Sequence, residues 1–141
     1  MKLLCILLVI SILWGCSEES MRMLPKGNDI KTELVNLRSE KKFVEDMKGL
    51  YPGAPDEQTR IAAEIIINTT IDKLIYYSNK ELTEAKFWEI VKHSATQLST
   101  MDSEEMDQGL YYMERLMNIY TIESSNGRLN EWRYGFDPSS H

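Results

Sequence analysis

The chain holds two cysteines, Cys5 and Cys16, so everything beyond Cys16 must fold without a thiol pair. No disulfide can staple that part and no thiolate metal site can nucleate it. Its stability has to come from an apolar core. The 126 residues from Cys16 onward suit one domain with one such core.

The cysteines themselves sit in a distinctive N-terminal segment. Met1 and Lys2 are followed by an apolar run from Leu3 to Trp14, interrupted only by Ser11. One positive charge before an apolar stretch is the layout of a secretory signal. A spanning helix needs about 20 apolar residues, and the polar run Ser17-Glu18-Glu19-Ser20 arrives too soon. Residues 1–15 are therefore expected to be cleaved. The run ends in Leu13-Trp14-Gly15-Cys16, which resembles the lipobox of bacterial lipoproteins, although Trp14 is bulkier than the residue usual at its position. The resemblance implies lipidation of Cys16 by two or three acyl chains, enough for stable anchoring where one chain is marginal. Ser17 implies sorting to the outer membrane, facing the periplasm or the cell surface, and Glu18-Glu19 resembles the surface-export tag of some bacterial lipoproteins. An ordinary signal peptide with a chance cysteine at its end is the alternative.

Removal of residues 1–15 takes away Lys2 and no acid, leaving 15 basic against 22 acidic side chains and a charge of −7. That balance argues against a nucleic-acid partner and against electrostatic docking on anionic lipid, and permits a basic protein, an envelope component or a toxin, as a partner. Solubility alone is the plainer explanation of the acidity.

Residues 16–29 mix Ser, Glu, Met, Pro25 and Gly27 without periodicity and read as a lipidated tether. From Ile30 to residue 138 the pattern is that of a single all-α domain, a small bundle of about four helices with a short aromatic helical tail. The first helix is expected to carry Ile30, Leu34 and Leu37, with Asp29 as N-cap, and to extend to Val44 and Met47 across an interruption at residues 39–42. Leu50-Tyr51-Pro52-Gly53-Ala54-Pro55 ends it. A second helix starts within residues 55–58 and bears a wide apolar arc of Ile61, Ala62, Ile65, Ile66, Ile71, Leu74 and Ile75, which predicts a central position. Thr83 caps a third helix, with Leu82 and Phe87 at the spacing of a hydrophobic staple. Asp102 and Glu105 have the spacing of a capping box before a fourth helix with the seam Met106, Leu110, Met113, Met117 and Tyr120. After the turn Ser124-Ser125-Asn126-Gly127, the residues Leu129, Trp132 and Phe136 fall on one face of a short helix. Trp132 is expected to insert between the central helices, with Arg133 outside.

No constellation of reactive groups stands out. His93 follows Glu89 by four residues on the third helix, but no third group completes a relay, and a solvent-facing histidine is the simpler account. Glu89 is followed three residues on by Lys92, not by the histidine that a bundle di-metal site needs. No catalytic residue, metal or cofactor is expected. The aromatic residues are the better candidates for function: Tyr77 and Tyr112, each from an adjacent pair, and Trp132, Arg133 and Tyr134 in the tail are candidate interface residues. Rings lying along grooves of a small bundle are the plainer alternative.

Gly49-Leu50-Tyr51-Pro52-Gly53 with Asp56 and Arg60, together with the run from Ile122 through Asn130-Glu131-Trp132-Arg133-Tyr134-Gly135-Phe136-Asp137, resembles the signatures of a small bacterial family, domain of unknown function 4844. The resemblance covers residues 30–138. It implies a compact domain and a tail that matters, and contributes no catalytic residues. Two function classes follow: an envelope-anchored binding or inhibitor module of the immunity type, or a structural or assembly lipoprotein. A small-molecule binder or an enzyme ranks below both.

Overall fold

The computed structural model describes residues 21–138; the expected signal segment and lipidation site, residues 1–15 and Cys16, lie outside the described residues. Its helices are α1 (Asn28–Ser39), α2 (Glu57–Tyr77), α3 (Glu84–Leu98), α4 (Ser103–Ile119) and α5 (Arg128–Tyr134), with two isolated β-bridges and no strand among the described residues. Four long helices thus form the expected all-α bundle, and the tail is a seven-residue helix. None of these helices is long and apolar enough to cross a membrane.

α2 is central because its sequence lets it be. Ala63, Ile67, Thr70, Ile71 and Leu74 are buried, and the helix packs against α1, α3 and α4. The arc is narrower than the apolar pattern suggested, for Ile61 and Ile65 are exposed. The α2–α3 contact includes a short hydrogen bond between the hydroxyls of Thr70 and Ser94. The α3–α4 contact depends on Gly109, where a Cβ would collide with Leu98.

Side-chain caps set two of the five helix starts, those of α2 and α3. The Asp56 carboxylate accepts from the Thr59 amide at 2.7 Å and the Thr83 hydroxyl from that of Lys86 at 3.2 Å. Leu82 and Phe87 are both buried, as a staple requires. Two cap expectations need correction. α1 begins after Gly27, not Asp29, and Asp102 precedes α4 without a side-chain cap bond. Glu105 closes no capping box, because its carboxylate is engaged by Tyr51 instead.

α1 also ends earlier than its hydrophobic spacing suggests. Glu40 turns extended, the Lys42 ammonium donates to the carbonyls of Arg38 and Glu40 at 3.3 and 2.9 Å, and Phe43 adopts φ 57°. Phe43 then occupies the core place, and Val44 and Met47 are exposed on a loop. Residues 40–55 fold back on themselves through the Asp46–Tyr51 bridge and a bond from the Ala54 amide to the Phe43 carbonyl.

Part of residues 16–29, read from the sequence as a tether, packs on the bundle instead. Leu24 is buried and its amide bonds the Leu82 carbonyl at 2.9 Å, while the Gly27 amide bonds that of Ser78 at 2.8 Å. Arg22 donates to the Thr121 carbonyl at 3.2 Å and pairs with the buried Glu84 at 3.4 Å. This strap ties together the starts of α1 and α3 and the ends of α2 and α4, defining one end of the bundle. The loop of residues 40–55 forms the other. A 21-residue helix such as α2 spans about 30 Å, which separates the two ends.

Candidate functional site

The loop end carries an unusual side chain. Leu50 is 85% exposed and sits at φ 56°, a left-handed conformation that costs a non-glycine residue about 1–2 kcal/mol. The neighbours of Leu50 hold it there. The Asp46 and Tyr51 backbones exchange two hydrogen bonds of 2.9 Å, and the Tyr51 hydroxyl donates to Glu105 at 3.0 Å inside the domain. Burial, with Glu105 next, pushes the Tyr51 hydroxyl well above the ordinary tyrosine range.

Leu50 lines a cleft of about 260 Å³ with Tyr51, Pro52, Glu104, Asp107 and Tyr111. An adjoining depression of about 460 Å³, sharing Pro52 and Glu104, adds Pro55, Asp102 and Glu105. The acids follow from α4's first turn, where negative side chains complement the helix dipole. The aromatic tail extends the surface. Arg133 makes an ion pair with Asp107 and lies 5.1 Å from the Tyr134 ring, and Tyr134 lies 6.4 Å from Phe136. Tyr111, Tyr134 and Phe136 are all exposed. The result is an apolar and aromatic surface bordered by carboxylates.

The sequence candidates divide between core and surface. Tyr112 belongs to the core, since it is buried, accepts from the Phe43 amide at 3.2 Å and packs on the Phe43 ring. The outward ring of its pair is Tyr111. Tyr77 is half-buried, and its neighbour Tyr76 points out with the Lys80 ammonium over its face. Trp132 does not insert between the central helices. It is half-buried and meets the edge of Trp88 at 6.0 Å, because α5 lies on the outside of α3 and α4. Leu129 is the buried member of the tail, Phe136 falls beyond the helix end, and of the tail candidates Arg133 is tied to the loop-end surface through Asp107, with Tyr134 exposed beside it. Leu50 was missed by sequence reasoning; its one signal is a large aliphatic residue between Gly49 and Tyr51-Pro52 in a turn.

A second concavity, about 720 Å³, opens between α2 and α3 and is lined by Tyr76, Tyr77, Lys73, Lys86, Glu89 and His93 among others. Glu89 is paired there with Lys86 at 2.8 Å, not with His93. Among the described residues no three His, Cys, Asp or Glu converge as a metal site.

The signature residues hold the frame that displays this surface. Arg60 is buried, donates to both Glu57 oxygens and to Glu64, and binds the Lys42 carbonyl at 3.1 Å. Gly127, at φ 80°, has Asp137 where a Cβ would stand, and Asn130 donates to Asp137 at 3.1 Å. No curated protein and no solved structure matches the chain. The family model described as domain of unknown function (DUF4844) matches residues 25–137, most of the chain, and the protein belongs to that family.

Proposed function

We propose that the protein is an envelope lipoprotein, anchored through Cys16, whose loop end binds and restrains a protein partner with a basic surface. The observation that carries this is Leu50, an aliphatic side chain held out at 85% exposure in a strained conformation beside Tyr111 and the carboxylates of Glu104 and Asp107. Strain of this kind persists only where surrounding structure enforces it. Aromatic and aliphatic anchors within a charged rim are the usual make-up of a binding hot spot. A basic partner matches the rim, and the inhibitor or immunity type of module fits a surface that offers contact rather than reacting groups.

The test is site-specific photocrosslinking in intact cells, with the crosslinker at Leu50, at Tyr111 and, as a control on another face, at Val35. A discrete protein adduct from the first two positions, absent from the third and diminished by 0.5 M salt, is the expected result. Adducts from Val35 alone, or none from any position, would overturn the reading.

A further inference from the structure

We infer that the strap end of the bundle rests on the lipid surface that holds Cys16, with Met21, Met23 and Tyr76 in the headgroup layer and the loop end facing away. This rests on the Cys16 anchor proposed above. The first argument is reach. Only Ser17, Glu18, Glu19 and Ser20 separate Cys16 from Met21, and the five chain steps between them extend at most about 18 Å. The chain is fixed to the fold almost at once, by the Arg22, Leu24 and Gly27 hydrogen bonds. Hence the strap end cannot leave the neighbourhood of the bilayer, whereas the loop end stands about 30 Å further along α2.

The second argument is what this end exposes. Met21 is 76% and Met23 50% exposed on the strap itself, and Tyr76, in the last turn of α2 just before the Ser78 carbonyl that the strap binds, is 63% exposed. Tyrosine favours the membrane–water interface, where its ring is apolar and its hydroxyl wet. Lys80, seated 3.1 Å from the centre of the Tyr76 ring, can lay its stem along the same surface and keep its ammonium among the headgroups.

Charge is the third. Residues 17–27 and 78–84, the tether, the strap and the turn it binds, contain Arg22, Lys26 and Lys80 against Glu18, Glu19, Glu81 and Glu84, a balance of −1, where residues 102–107 at the loop end alone carry −4. The loop end, with Asp102, Glu104, Glu105 and Asp107, would be repelled by anionic lipid. Few contacts are needed, because a short tether keeps the effective concentration of lipid surface near millimolar or above.

Quenching of single labels on the native lipoprotein tests the orientation. With Cys5 removed by processing and the Cys16 sulfur blocked by lipid, a cysteine introduced by Met23→Cys, Tyr76→Cys or Leu50→Cys is the one reactive thiol. Each full-length variant, checked for native circular dichroism, is labelled with a small fluorophore. It is then reconstituted in vesicles of phosphatidylethanolamine and phosphatidylglycerol with headgroup-nitroxide lipid. Loss of most of the emission at positions 23 and 76, with position 50 unchanged, is expected. Flotation with the vesicles is read on the same samples. Protein that floats but is quenched equally at all three positions, or at none, overturns the orientation and leaves the anchor standing. Protein that fails to float overturns both.

Discussion

Tyr51 donates its hydroxyl to the buried Glu105 carboxylate at 3.0 Å, a bond that clamps the loop of residues 40–55 onto the first turn of α4. Removing the donor would strand a buried acceptor, which costs about 1–3 kcal/mol. Tyr51→Phe should therefore lower unfolding stability by that amount in urea titration, with the helical circular dichroism kept. A change below about 0.5 kcal/mol, the range of an ordinary surface substitution, would show that the clamp is not what fixes the loop.

The contrast between this loop and the helices explains what could be read from the sequence. Asp56 and Thr83 announce their helices because a cap bonds an amide only three residues away, and the α4 seam is visible because Met106, Met113 and Tyr120 recur at helical spacing. Such signals are local. Glu105 also stands three residues after its N-cap, but its partner is Tyr51, 54 residues distant, and no spacing rule can anticipate that choice. The same holds for Tyr112, whose inward turn depends on the Phe43 amide. Val44 and Met47 fit a helical period and still lie outside α1, since Lys42 ends the helix with its own side chain. The candidate surface was half legible. Arg133 and Tyr134 stood out in an aromatic tail, whereas the exposure of Leu50 follows from two backbone bonds across a turn.

Lys42 gives the pH dependence a definite shape. Its side chain is buried, and burial lowers its pKa from 10.5 to about 8. Below about pH 8 both folded and unfolded chains hold this proton, and the folded state bears the cost of a buried charge. Between about 8 and 10.5 the unfolded chain binds more protons, so stability rises with pH. Tyr120 works the other way: burial raises its pKa from 10.0 to about 12, so its contribution is complete below pH 10 and is lost towards 12. Tyr51 is shifted in the same direction. Measured by denaturant at fixed temperature, the share of stability that these groups carry should be greatest near pH 10. Lys42→Met should flatten the rise between pH 8 and 10; an unchanged rise in that variant would assign it to other groups.

Trp132 separates a lid from a core anchor. A fully buried tryptophan truncated to alanine costs about 3–5 kcal/mol, but Trp132 is half-buried and touches the core mainly through the edge of Trp88. Trp132→Ala should therefore cost about 1–3 kcal/mol, including the aromatic pair, and leave the bundle folded. Complete unfolding would mean that α5 belongs to the core, and an unchanged melting temperature that it does not pack at all.

Leu50 separates structure from the proposed binding role most sharply, because under that proposal the two demands conflict there. At φ 56° asparagine is better tolerated than leucine, having a short polar side chain that can hydrogen-bond locally. The exposed leucine contributes no buried apolar area that the substitution would forfeit. Leu50→Asn should thus raise stability by up to about 1 kcal/mol, part of the left-handed cost, while abolishing the partner adduct formed from a crosslinker at Tyr111. That pairing, a more stable protein with a weaker interaction, is the signature of strain retained for binding. Were the variant both more stable and fully competent to crosslink, Leu50 would be a passive loop residue and the binding surface would have to lie elsewhere on the bundle.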